Sequence, residues 1–463
     1  MNWKRNSLQP TTYNLQPNQG FTLVETLVGA LVFAVVAIAA YQAFAVVIGS
    51  TLASRARTTA TMLGNERIEI IRNLPYLDVG IAGGLPSGKI TREDTVSRDG
   101  FAFNMVTAVR NVDDPFDGTV GGTPNDLSPA DYKLAEVTIS CPNCKNYVPL
   151  SFTTYVSPRG PEDTDADGAL RISVINSKGE VVPGATVRIL NSGATPAIDI
   201  TENVNNQGEY MLVGAPAGIL AYNVSATKSG YSTDSTYSAT QENPDPVKPP
   251  ATISAGQITH VTLAIDKMGS LTLDTIREDC AFLPNKRITL RGDKLIGGRN
   301  NGTPIYKVDT DYVSNTEGIV NVGVLEWDSY NLLSKDSSKT IAGTVPQLGI
   351  NVAPDTMNSV KAIMVHRNGS GLLVNVKNSA SGGALAGVSA SLTRGAYSST
   401  KVSTSTSPTG CEPAGQVFFD GLSSGASNYL LTLTKEGYQT VTDEDVKITD
   451  EWQRLDYNLS PVN

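Results

Sequence analysis

The residues of this chain that could ligate a metal or react are few: two histidines, His260 and His366, four cysteines, and one run of alternate aspartates. A zinc peptidase needs a His-x-x-Glu type ligand pair and a third ligand, whereas His260 is followed by VTL and His366 by RNG. Neither a nucleophile elbow, G-x-S-x-G, nor a phosphate loop, G-x-x-x-x-G-K-[ST], occurs in a suitable strand-turn-helix context. No catalytic residue is expected, and both histidines read as surface or strand-edge side chains. Cys141 and Cys144, in "CPNC", have the spacing of a redox motif or half a zinc site, but no second CxxC exists. A small structural disulfide in a hairpin loop is preferred over metal binding and thiol exchange. Cys280 and Cys411 fall in different expected domains, and their pairing stays open. "DTDADG" puts Asp163, Asp165 and Asp167 at alternate positions before Gly168, as in the first half of a calcium loop. The twelfth position counted from Asp163 is Val174 and not a bidentate Glu, so a solvated acidic linker is preferred and calcium is the alternative. No other cofactor is indicated.

One further acid is out of place. Glu25 stands at the start of an apolar run that continues without charge from Thr26 to Ile48. At ~1.5 Å per residue this run makes a helix long enough to cross a ~30 Å hydrocarbon core. A secretory signal fits badly, because the small residue, Gly20, precedes the apolar run where a cleavage site should follow it. A carboxylate at the centre of a span costs roughly 2.5–3.5 kcal/mol, less near the interface, so such a residue ordinarily has a partner.

The junction Gly20-Phe21-Thr22-Leu23-Val24-Glu25 resembles the class III leader junction of type IV prepilins and type II secretion pseudopilins. The resemblance implies a leader, residues 1–20, removed after Gly20 by a membrane aspartyl peptidase (the prepilin peptidase) that then N-methylates Phe21. It also implies that Glu25 pairs with the amino terminus of a neighbouring pilin subunit in a filament core. Lys4 and Arg5 keep the leader basic; it is longer than the shortest prepilin leaders. Position 42 is Gln where many major pilins carry a helix-bending proline, which points to a minor pilin or pseudopilin. Arg55, Arg57, Arg67 and Arg72 follow the span and outnumber the basic residues before it, so the cytoplasmic amino end rests on the resemblance alone.

The elements that must carry these residues can be laid out along the chain. At 463 residues, several domains are expected; charged residues are only 17%, with 42 Gly and 25 Pro, which suits many short strands and turns. Net charge is −9, and loss of the leader removes Lys4 and Arg5 to leave −11, which argues against nucleic acid as a partner. The span continues as an amphipathic helix to about residue 74, ended by Pro75, with Leu63, Ile70 and Leu74 as its apolar spacing. Strands are expected at 100–112, 131–140 and 147–157, so that residues 21–159 form one pilin-like unit.

Beyond it the chain repeats. Gly168-Ala-Leu-Arg-Ile-Ser-Val, Gly269-Ser-Leu-Thr-Leu-Asp-Thr and Gly371-Leu-Leu-Val-Asn-Val-Lys all read as first strands, and each repeat later has a Gly turn, a strand, another turn and a Tyr-led strand. The first repeat resembles the carboxypeptidase-regulatory-like family, a transthyretin-like seven-stranded β-sandwich; the third does so too and the second weakly. The resemblance implies structural roles for Gly208, Tyr210 and Tyr231. The expected fold class is α+β, mostly β: a long N-terminal helix with a small antiparallel sheet, then sandwiches at 160–267, 268–367 and 368–463 joined by short linkers into a stiff rod. "NPDPVKPP", 243–250, is placed as a rigid loop inside the first repeat, before its last strand.

The expected function is that of a minor pilin, without enzymatic activity. It would be single-pass with a cytoplasmic amino end before assembly and lie on the filament surface afterwards, its sandwiches making surface contact with a ligand the sequence does not name. The alternatives are a type II secretion pseudopilin and a signal-anchored surface binding protein that never assembles.

Overall fold

The computed structural model describes residues 22–126, 129–145, 147–158, 167–405, 411–425 and 428–462. Helix α1, Leu23–Asn73, ends where Leu74 turns extended ahead of Pro75. Its first buried residue is Ala56; from there Thr59, Ala60, Leu63, Gly64, Ile68 and Ile71 form a stripe at helical spacing. Ile70, expected on that stripe, is instead 48% exposed. The stripe follows Gly64, Ile68 and Ile71, which puts Ile70 on the flank. Gly64 matters here because the Phe152 ring sits where a side chain would start: a Cβ would lie 2.2 Å from its Cε2.

The chain divides into two compact units. One joins α1 to Thr91–Ala108 and Ala135–Thr154; the other comprises Pro75–Ile90, Val109–Leu134 and Tyr155–Asn463. A four-stranded sheet runs in the order Glu93–Arg98, Phe101–Val112, Tyr132–Ser140, Leu150–Val156. The last three are the expected strands. Glu93–Arg98 is an addition: it is polar and largely exposed, and carries no alternation to announce it. It is held by register with Phe101–Val112 across Asp99-Gly100, whose φ values of 54° and 84° suit the tight hairpin turns that favour Asp-Gly.

Three β-sandwiches follow. In the first, a sheet of Ile258–Ala264, Gly168–Ile175 and Glu209–Ala215 faces one built on Gly218–Thr227, Thr186–Asn191 and Ile198–Asn203. Leu170, Ile172, Val187, Ile189, Tyr222 and Val224 fill the space between. The second pairs the sheet Ile319–Leu325, Gly269–Ile276, Met357–His366, Lys339–Val345 with the sheet Asp309–Val313, Arg287–Gly292, Asp328–Ser334, Ile350–Val352. The third has, among the described residues, seven strands: Gln416–Leu422, Ser370–Asn378 and Trp452–Leu459 in one sheet, and Tyr397–Val402, Ser389–Arg394, Tyr429–Thr434 and Val441–Val446 in the other. In all three the first strand is hydrogen-bonded to the last and parallel to it. Gly208, in a left-handed turn at φ 71°, leaves no room for a Cβ, which would meet the Val174 carbonyl oxygen at 2.8 Å; Tyr210 and Tyr231 pack on the rim of the first core.

The segment placed as a loop of the first repeat does more than close it. Within 243–250, Asp245–Pro246 pairs with Leu295–Gly298 of the second sandwich, and Asn243 Nδ2 donates to the Ile296 carbonyl at 3.2 Å. A proline has no N–H to donate to a ladder, which confines it to an edge, and this stretch adds to the edge of the neighbouring domain. Sandwiches two and three are joined more closely. Gln416, buried, accepts from Thr344 N at 3.0 Å and donates to Thr344 O at 2.7 Å; Trp452 Nε1 donates to Ile341 O at 2.7 Å; Asn375 Nδ2 donates to Leu348 O at 3.1 Å. Leu373, in the third domain's first strand, belongs to the core of the second.

Candidate functional site

The amino end of α1 carries the first candidate residue. Thr22 is the N-cap and Glu25 the third helical position, and the two side chains cap one another. Glu25 N donates to Thr22 Oγ1 at 3.3 Å, while Thr22 N and Thr22 Oγ1 donate to Glu25 Oε2 at 3.1 and 3.0 Å. A helix start leaves four N–H groups without helical partners, and this box satisfies two of them. The carboxylate also sits at the positive end of the helix dipole, which favours an anion there. Both effects lower the cost of a charge beside apolar surroundings, and the two hydrogen bonds that the carboxylate accepts both fall on Oε2. Sequence reasoning assigned Glu25 to a neighbour's amine and missed its local partner, although Thr22-x-x-Glu25 is the capping pattern in plain sight.

Along the next seven turns the helix buries nothing. Leu23 is 79% exposed and Phe33 74%, and exposure continues through Val47. Among the described residues α1 is the one helix long and apolar enough to cross a membrane. Gly20 and Phe21, the proposed cleavage and methylation residues, lie outside the described residues, as do Asp163 and Asp165 of the calcium-loop pattern. Asp167 is described, and its carbonyl accepts Gly256 N at 2.8 Å.

The acids that do come together are others. Asp113, Asp126 and Asp131 bring carboxylate oxygens within 4.8 Å of one another. Asp113 Oδ2 accepts Val120 N at 3.0 Å; burial first, and then the neighbouring aspartates, push its carboxyl above the usual range. These residues are scattered over a Gly- and Pro-rich loop with no fixed ligand spacing, so no sequence motif announced them.

Both cysteine pairs are bonded. Cys141 and Cys144, Cα atoms 5.3 Å apart, close the turn after Tyr132–Ser140. Cys280 and Cys411, Cα atoms 5.7 Å apart, bridge sandwiches two and three in an apolar setting made with Ile276, Ile363 and Val345.

Residues 15–41 match the profile of the prokaryotic N-terminal methylation motif, which spans the junction and the first part of α1. No curated protein sequence matches the chain. Among solved structures, the chain is similar to the Bacillus anthracis TIE protein at 13% identity, covering 80% of this chain and 73% of that one, with a TM-score of 0.19. A Streptococcal ancillary pilin matches at 10% identity, 64% and 99% coverage and a TM-score of 0.17. BcpA, the major pilin subunit of Bacillus cereus, matches at 12% identity, 64% and 99% coverage and a TM-score of 0.16.

Proposed function

We propose that this chain is a minor-pilin subunit of a type IV pilus-like filament. Prepilin peptidase cuts after Gly20 and methylates Phe21; the apolar half of α1 rests in the membrane and then in the filament core. Glu25 there accepts the amine of a neighbouring subunit, and the sandwiches project outward for surface contact. One conjunction carries the reading: the methylation-motif match, residues 15–41, takes in the amino-terminal part of a helix whose first seven turns are apolar, exposed and headed by a glutamate in a capping box. A bare helix face of this length needs lipid or sister helices to cover it.

N-terminal mass spectrometry of the mature protein tests processing, with a methylated Phe21 expected; an intact Met1 would overturn it. Glu25→Ala tests assembly. The variant should still be cleaved yet enter filaments poorly, because the neighbour's amine loses its counter-ion in an apolar core. Normal incorporation of the variant would return the chain to the class of simple anchors.

A further inference from the structure

The pairing of first and last strands decides how tension passes along residues 168–463. Ala169–Ile175 lies against Ile258–Ala264, Ser270–Ile276 against Met357–Ile363, and Gly371–Asn378 against Trp452–Leu459, each in parallel register. Parallel neighbours leave a domain at opposite ends. A pull on both ends slides one past the other and loads every rung together, whereas strands pulled from the same end open one rung at a time. The links between sandwiches, residues 265–268 and 367–369, are too short to absorb extension.

The Cys280–Cys411 bond reroutes that path. Cys280 lies just beyond the first strand of sandwich two, and Cys411 just before the Gln416–Leu422 strand of sandwich three. A pull that enters at Gly269 runs along Gly269–Ile276, which is already extended and is held on both sides by Ile319–Leu325 and Met357–His366. It reaches Cys280, crosses the disulfide, and continues from Cys411. The rest of sandwich two and the first strand of sandwich three never come under load. The Gln416 and Trp452 contacts hold the same joint shut without covalent help.

We propose that the Cys280–Cys411 bridge removes residues 281–410 from the load path, so that sandwich two stays folded under tension that opens sandwich one. The inference deepens the surface-contact reading and depends on it only for the source of the load.

Single-molecule pulling of the full chain in detergent micelles, held by peptide tags ligated at its two ends, tests this. Full extension of the oxidised chain should fall short of that of the reduced chain by the 131-residue bridge span, about 450 Å at roughly 3.4 Å per residue. The oxidised traces should contain no step for sandwich two, and the Cys280→Ser/Cys411→Ser double variant should show the reduced pattern without reductant. Equal extension with and without reductant would overturn the proposal, as would an oxidised chain that releases sandwich two before sandwich one. If the double variant fails to fold, the native chain with and without reductant decides alone. The comparison with and without reductant does not depend on leader cleavage or filament assembly, so a negative result leaves the pilus reading standing, and an intact Met1 lengthens both traces equally without changing their difference.

Discussion

Tyr222 and Tyr330 are fully buried, and each phenol donates back to a carbonyl a few residues upstream: Pro216 O at 2.7 Å and Glu326 O at 2.9 Å. The equivalent Tyr429 accepts from Ser423 N at 2.9 Å. The ring fills the core while the hydroxyl pins the preceding turn. Tyr222→Phe and Tyr330→Phe should each destabilise by about 1–2 kcal/mol, since each carbonyl loses its donor, and urea unfolding measures it. Lys133 offers a test by pH. It is 6% exposed, donates to Tyr76 O at 2.9 Å, and burial pushes its ammonium down to about 8 from an ordinary 10.5, with Asp78 opposing. Below pH 8 both folded and unfolded chains hold that proton. Between about 8 and 10.5 the unfolded chain binds a proton the folded one has lost, so stability from this group rises with pH across that window. The rise should be on the order of 1–3 kcal/mol. Lys133→Met should flatten it, as read by denaturant midpoints at pH 7.5 and about 10.5. The Tyr-led strands were legible in the sequence because each comes one strand after a Gly turn at a like place in its repeat. Lys133 was not, because a lysine in an alternating strand reads as solvent-facing until the Tyr76 segment is seen to cover it.

Among the elements, α1 was almost fully readable: an uncharged run, a following amphipathic stretch and Pro75 fixed its type and its end. Its buried face was harder, because Ile70 is as apolar as Ile68 and Ile71 and only the partner sheet chooses between them. That choice turns on Gly64 and the Phe152 ring. Gly64→Leu should destabilise the helix-and-sheet unit by about 1–3 kcal/mol or more through overpacking, lowering its thermal midpoint, with Phe152→Ala partly rescuing it. Glu93–Arg98 escaped notice for the opposite reason. An exposed edge strand has no core face, and its only local signal was the Asp99-Gly100 turn.

At the scale of the whole molecule, the three repeats announced three sandwiches, but nothing in a single chain could pair Cys280 with Cys411. The bond depends on how two domains dock, and docking depends on side chains such as Gln416 and Trp452 that look ordinary in sequence. Reduction should lower the stability of the sandwich pair by about 4–5 kcal/mol on the chain-entropy scale for so long a loop, seen as a lower denaturant midpoint with reductant. The same strand order that resists a pull also sets a timetable for synthesis. Ala169 waits for Ile258, Ser270 for Met357, and Gly371 for Trp452. Each sandwich therefore spends nearly its whole emergence from the ribosome with a row of vacant backbone donors and acceptors along its founding strand. Three such vulnerable intervals follow one another in a single nascent chain. A stall in any of them leaves an open edge on which a second copy can template itself.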